Sequence, residues 1–369
     1  MQSHMKHYLD YNATAPARPE VLDVMQELQK FALNPSSVHE NGRKAKGILD
    51  NSRRKIAEAI GVFANEIIFV SSGTEANNWA IKAFPEHKII VSAIEHSSVL
   101  KTAGTLANTF IIPVDSDGII NLDAFAKALP QGKFLVSIML ANNETGVIQP
   151  VQEIAGMVHK RGGLMHCDAV QAFGKVHVDF TALGCDLMTI SAHKMGGPVG
   201  AAALIARNNL PLAPMLIGGG QELNRRAGTE NVAAIAGFAK AAECIDLKSA
   251  AQIRPWLDAF EQEVEKLGSR IIGKNATRLP NTSCITMPNV TAETQLISFD
   301  LEGIAVSAGS ACSSGRIEPS HVLKAMGIDT QEAATAIRAS GGWGTQEANI
   351  TALTEAWKKL FQRKNERAA

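Results

Sequence analysis

The chain has 369 residues, 46% of them hydrophobic, with 36 basic and 36 acidic side chains and a formal net charge of zero. That length suits one large domain and a smaller one, each with its own core. Balanced charge gives no electrostatic case for nucleic acid or an acidic membrane surface, and no apolar run is long enough to span a bilayer.

The N-terminus, MQSHMKHYLD, lacks the apolar core of a signal peptide. Seven runs then read as strands: EIIFVSS (66–72), HKIIVSA (87–93), TFIIPV (109–114), KFLVSIML (133–140), GLMHCDA (163–169), CDLMTISA (185–192) and GAAALIA (200–206). Helical patterns such as TEANNWAIKAF and PVQEIAGMVHKR fall between several of them. This alternation predicts an α/β fold with a mostly parallel central sheet and helices on both faces. From about Asp246 the pattern changes. SAAQIRPWLDAFEQEVEKLGS (249–269) reads as one long amphipathic helix, followed by shorter strands and helices and a charged C-terminal helix. Residues 16–247 are therefore expected to form a large domain. Residues 1–15 and 248–369 are expected to form a small α+β domain, with the extreme N-terminus joining it or lying between the two.

Cys167, Cys185, Cys244, Cys284 and Cys312 form no CxxC pair and no zinc pattern, so a reducing, cytoplasmic setting and no metal site are expected. The first four lie in apolar or strand-like contexts, as structural cysteines do. Cys312 lies in AVSAGSACSSGRIEPSH (305–321), a small-residue polar stretch that is hard to pack. Transient iron–sulfur ligation by Cys312 is the one metal role to consider, and no neighbouring set of cysteines supports it.

Six motifs carry candidate chemistry, and five follow strands, where ligands gather in open α/β sheets. In SAHKMGGP (191–198), Lys194 can form a Schiff base with a carbonyl cofactor while Ser191 and His193 hold a phosphate. Alone, it reads as a surface lysine. In HCDAVQAFG (166–174), Asp168 can pair with a protonated pyridine nitrogen, with Gln171 at the next turn; alone, Asp168 reads as a helix N-cap. In VSSGTEANNWA (70–80), the amides of Gly73 and Thr74 and the helix dipole suit a phosphate, though Thr74 equally suits an N-cap. There is no GxxxxGK[ST], so a nucleotide P-loop is not expected. In EHSSVL (95–100), His96 can stack on a cofactor ring and exchange protons, or serve structure alone. ANNETG (141–146) offers Asn143 as a donor to a ring oxygen. GGGQELNRRAGTEN (218–231) suits an anion site with Thr229 bonding a phosphate, or is a solvated turn. A phosphate site, a ring-nitrogen carboxylate, a stacking imidazole and a lysine together describe pyridoxal 5'-phosphate (PLP).

With these motifs, the chain resembles the cysteine desulfurases, within the class V aminotransferase family of fold-type I PLP enzymes. The resemblance runs through YLDYNATAP (8–16), NPSSVHENGRKAK (34–46), SSGTEANN, EHSSVL, NNETGVIQP, HCDAVQAFGK, SAHKMGGPVG, GGGQELNRRAGTEN and GSACSSG. The GSAC segment is similar to that of the group with a long, mobile catalytic loop, the nitrogenase-associated and general iron–sulfur-cluster desulfurases. The resemblance implies that Lys194 carries PLP and moves the α-proton, and that Asp168 pairs with the ring nitrogen. Gln171 and Asn143 would lie near the ring's phenolic oxygen, and His96 would stack on the ring as an acid/base. Gly73, Thr74, Ser191 and His193 would bind the phosphate, and Thr229 the phosphate of a partner subunit in a homodimer. Arg338, in AIRASGG, would bind the carboxylate of L-cysteine. The implied reaction turns L-cysteine into L-alanine and leaves the sulfur as a persulfide on Cys312, for a sulfur acceptor or iron–sulfur scaffold protein. The chain ends at LTEAWKKLFQRKNERAA, without the longer extension through which some members dock a scaffold, which leaves the acceptor open.

Overall fold

The computed structural model describes residues 6–311, 317–318 and 320–366. All seven runs read as strands form one sheet: β1 (Ile67–Val70), β2 (Lys88–Ser92), β3 (Thr109–Ile112), β4 (Phe134–Met139), β5 (Leu164–Asp168), β6 (Leu187–Ser191) and β7 (Ala202–Ala206). Their order is β1-β7-β6-β5-β4-β2-β3. Only β7 runs against its neighbours, so the carboxyl ends of the other six share one edge.

Every residue of β1, β4, β6 and β7 is buried, which is why these segments read as unbroken apolar runs. Alternate side chains serve two cores. Ile67, Phe69, Val136, Ile138 and Ile190 face one, and Ile68, Val70, Leu135, Leu204 and Val91 face the other. Helices cover both faces. Helix α1 (Gly73–Lys82) buries Ala76, Trp79 and Ala80 on one face, while α2 (Val151–Lys160) buries Val151, Ile154 and Val158 on the other.

A further core lies around an antiparallel sheet of β8 (Thr282–Thr286), β9 (Ser307–Ala308) and β10 (Ala336–Ser340), in the order β9-β10-β8. Helices α3 (Ile253–Glu265) and α4 (Glu347–Glu366) pack over it. Phe260 meets Trp357 edge-on at 5.8 Å between centroids. Full burial of each such ring contributes about 1.5–3 kcal/mol. The N-terminal segment joins this part: His7–Tyr8 pairs in parallel with Ile304–Ala305, and Leu9 is buried in the same core.

The helix expected across 249–269 is two, Leu247–Ala251 and Ile253–Glu265. Pro255 has no N–H to give to the Ala251 carbonyl, and the break falls at Gln252. No helix among the described residues is long and apolar enough to cross a membrane.

Candidate active site

The motifs at residues 71–74, 95–96, 141–144, 168–171 and 191–194 follow β1, β2, β4, β5 and β6 at the shared carboxyl edge. Topology alone therefore gathers them.

Asp168 ends β5 and is 5% exposed. Its Oδ2 accepts from Asn77 Nδ2 at 2.7 Å and its Oδ1 from the Val170 amide at 3.0 Å. The second bond is the local cap expected of a lone aspartate. Among the described residues no lysine, arginine or histidine lies within ion-pair distance of it. A buried carboxylate held only by neutral donors suits a cationic partner.

Asn77 also donates to Ser98 Oγ at 2.9 Å, and Ser98 Oγ lies 2.7 Å from His96 Nδ1. The Ser98 amide donates to the same Nδ1 at 3.1 Å. Nδ1 is thus an acceptor, so a neutral His96 carries its proton on Nε2. Burial lowers the imidazole's affinity for a second proton; Asp168 opposes this, while Lys194 and His321 add to it. The histidine starts a helix through Nδ1 and keeps Nε2 for other work.

Lys194 ends a short 3-10 turn after β6. Its Nζ donates to the main-chain oxygens of Asn12 and Ala13, both at 2.7 Å. Burial, with the Arg338 cation second, pulls the ammonium down to about 8, against the opposing charges of Asp10 and Asp168. Burial likewise takes His193 down to about 4, with Lys194 and Lys175 adding to it, and its Nδ1 lies 3.2 Å from Thr14 Oγ1.

At the start of α1, Ser72 caps the Glu75 amide at 3.1 Å. Among the described residues nothing accepts from the amides of Gly73 and Thr74. A Cβ on Gly73 would stand 3.1 Å from Val170 Cγ2 and 3.8 Å from Ser191 Cβ, so the bare glycine lets β5, β6 and the helix start converge. Two open amides at a helix start beside a serine hydroxyl suit a phosphate.

Asn12 ties Gln171, Asn143 and Arg338 to this edge. Its main-chain oxygen accepts from Gln171 Nε2 at 2.9 Å, and its Nδ2 donates to the Asn143 carbonyl at 3.2 Å. Arg338, 4% exposed in the middle of β10, donates to that same carbonyl at 2.8 Å and to Asp10 Oδ1 at 2.6 Å. It is an ion pair, as a strand arginine commonly is, but a buried one. Its Nε is buried without a partner among the described residues, and the two bonds use only two of the guanidinium's five N–H groups, so donors remain for a carboxylate. Asn143 contributes its carbonyl to this network, whereas the sequence drew attention to its side chain.

Thr229 stands apart from these groups, exposed, with no hydrogen bond to a described residue. Its segment is anchored nearby, since Arg226 pairs with Glu75 of α1 at 2.8 Å and Glu222 pairs with Arg53 at 2.6 Å. Cys312 lies outside the described residues.

A family model for aminotransferase class V matches residues 7–353. The chain is 41% identical over 374 residues to the cysteine desulfurase IscS of Dictyoglomus turgidum, covering 96% of this chain and 94% of that protein. The chain belongs to the cysteine desulfurases. It is also similar to the cysteine desulfurase of Cereibacter sphaeroides, at 40% identity over 363 residues, covering 94% of each chain. Among solved structures, the NifS-like protein from Rickettsia africae superposes with a TM-score of 0.90 at 40% identity, covering 97% of this chain and all of that one. Desulfurases of this family use PLP. The buried Asp168 carboxylate without an ionic partner, the open amides of Gly73 and Thr74 and the Lys194 amine, lowered to about 8, fit its ring nitrogen, phosphate and aldehyde in turn.

The sequence reading passed over Asp10, Asn12, Asn77, Ser98 and Lys175. All five lie inside motifs it quoted. What it lacked was the set of long-range pairings that make them neighbours of the site.

Proposed function

We propose that Lys194, His96 and Cys312 carry out the reaction of this family, in which L-cysteine gives up its sulfur and leaves as L-alanine. The observation that carries the reading is the convergence of Lys194, Gln171, Asp168 and His96 at one sheet edge, with two open amides beside them.

Lys194, Asp168 and the Gly73–Thr74 amides would hold PLP, which when bound supplies an electron sink for the substrate's α-carbon. Arg338 and the Asn143 region bind the substrate carboxylate through the guanidinium N–H groups that the Asn143 and Asp10 bonds leave over. The Lys194 amine, near 8, is partly neutral at physiological pH, takes the α-proton and returns it to the α-carbon before alanine leaves. His96, with its proton on Nε2, would face the cofactor and exchange a proton through that nitrogen. Gln171 and Asn143 would hold the ring's phenolic oxygen. Ser191, His193, Gly73 and Thr74 hold the phosphate.

Cys312 attacks as its thiolate. An S–S bond forms to the substrate sulfur while the Cβ–S bond breaks, and the electron pair left on carbon takes up the proton lost from the substrate thiol. The products are L-alanine and a persulfide on Cys312, which a sulfur-acceptor or iron–sulfur scaffold protein then collects.

Thr229 reaches the phosphate of a second copy of this chain in a homodimer. Ile217, 96% exposed, and Leu223, 62% exposed, in the same segment support burial against a partner. The four described cysteines are all free, in keeping with a cytoplasmic setting. The proposed division into a PLP-binding domain (16–247) and a small domain (1–15 and 248–369) is supported by the separate core around β8 and β10, which includes Leu9.

The test is to follow alanine and sulfide from L-cysteine with wild type, Lys194→Ala and Cys312→Ala. Loss of turnover in both variants, with the PLP absorbance kept in Cys312→Ala alone, is expected. Unimpaired turnover in either variant contradicts the assignment.

A further inference from the structure

Lys175 is a buried cation that the reaction as described does not use. It is 7% exposed, and its Nζ donates to Asn12 Oδ1 and to Gln171 Oε1, both at 2.7 Å. No carboxylate lies within ion-pair distance of it among the described residues; its charged neighbours are Lys194 and Arg338. A lysine in such a place is expensive to bury, and its two contacts show where it acts.

The hydrogen-bond directions are set by the network. Asn12 Nδ2 gives to the Asn143 carbonyl, which can only accept, so Asn12 Oδ1 faces Lys175. Gln171 Nε2 gives to the Asn12 main-chain oxygen, which also can only accept, so Gln171 Oε1 faces Lys175. Charged or neutral, Lys175 has at least two N–H groups for these two oxygens. Lys194 Nζ donates to that same Asn12 oxygen. The Gln171 amide nitrogen therefore lies on the Lys194 side with one N–H engaged and a second to offer. Without Lys175 the amide oxygen loses its partner, and the flipped amide, with oxygen toward Lys194, competes.

We propose that Lys175 is a positioning residue that locks the Gln171 side chain with its N–H, and not its carbonyl, presented to the cofactor's phenolic oxygen. The inference rests on the proposed placement of that oxygen beside Gln171. A donor there stabilises the oxygen's anionic form, and an acceptor opposes it. Lys175 would thus set the pH at which the cofactor carried by Lys194 gains or loses its proton.

The experiment is a pH titration of the visible absorbance of the PLP-loaded enzyme without substrate, on wild type, Lys175→Met, Gln171→Leu and the double variant, with PLP affinity measured by dialysis. Lys175→Met should move the midpoint up by about one pH unit and weaken PLP retention. Gln171→Leu should move it the same way, and the double variant should match the single ones, because both remove one donor. Lys175→Arg, which keeps a donor-only head group, should return the midpoint toward wild type. If Lys175→Met does not fold, Lys175→Gln, too short to reach Gln171, reads the same way. An unchanged midpoint in Lys175→Met overturns the inference. So do additive shifts in the double variant, which would mark a direct charge effect. If Gln171→Leu alone leaves the midpoint in place, the placement of the ring oxygen at Gln171 falls, and this inference with it.

Discussion

Lys194 and Gln171 share one acceptor: the main-chain oxygen of Asn12 takes a hydrogen bond from Lys194 Nζ at 2.7 Å and from Gln171 Nε2 at 2.9 Å. The N-terminal segment thereby fixes the spacing between the lysine that would carry PLP and the amide that would hold its ring oxygen. Asn12 also bonds to Thr282 through Nδ2 at 2.9 Å, so the same residue joins this edge to β8.

The Lys194 amine should react with an amine-modifying reagent in PLP-free protein with a midpoint near 8, set by burial and then by Arg338. Its unperturbed value is near 10.4. Removing the Arg338 cation relieves repulsion of the ammonium, so Arg338→Met should raise the midpoint. The check is labelling rate against pH, read by peptide mass spectrometry. An unchanged midpoint would exclude Arg338 as a cause.

Arg338→Lys should raise KM for L-cysteine by roughly ten- to a hundredfold, the effect of losing about 1.5–3 kcal/mol in charged hydrogen bonds. Steady-state kinetics separates this from a fall in kcat alone, which would point to a role outside substrate binding.

Asp168→Asn removes the charge while keeping an oxygen for the Val170 amide, so the fold should persist. Turnover should fall by about a hundred- to a thousandfold, the usual loss for one electrostatic stabiliser. Single-turnover kinetics at saturating PLP tests this.

Strands β1, β4, β6 and β7 were legible because their residues are buried on both faces; β3, with Phe110 and Ile111 exposed, was legible from its apolar, β-branched composition. The five motifs were legible because each follows such a strand. The Asn12 network was not, because its partners lie far along the chain, at Asn143, Gln171, Lys175, Lys194 and Thr282. Apolar periodicity carried the 249–269 helix across Gln252, although Pro255 denies it a backbone bond there.

Glu95 gives a pH signature of stability. Burial raises its carboxyl to about 8, the bonds from Ser92 and the Met139 amide only partly offsetting this, and its Oε2 has no partner among the described residues. The unfolded value is near 4.3, so between about 4.3 and 8 the folded chain holds a proton that the unfolded chain has released. Stability from this group is therefore full below the lower value and is lost as pH rises through the upper one. Glu95→Gln should lose less stability than wild type between pH 5 and 8 on urea denaturation. Parallel curves would contradict the assignment.

A Cβ on Gly309 would lie 2.7 Å from Glu144 Oε2 and 2.8 Å from Ser320 Cβ, and Ser320 Oγ donates to that same carboxyl oxygen at 2.5 Å. Gly309→Ala must push one of them aside and should destabilise the protein by about 1–3 kcal/mol. Chemical denaturation reads this directly.

The central claim, sulfur capture by Cys312, is tested most directly by intact and peptide mass spectrometry of the PLP-loaded enzyme after a brief exposure to L-cysteine. The account predicts a gain of one sulfur atom on the peptide that contains Cys312, removed by a reducing thiol, with alanine formed in equal amount. Alanine formed at the wild-type rate by Cys312→Ala, or an adduct on another cysteine, would contradict it.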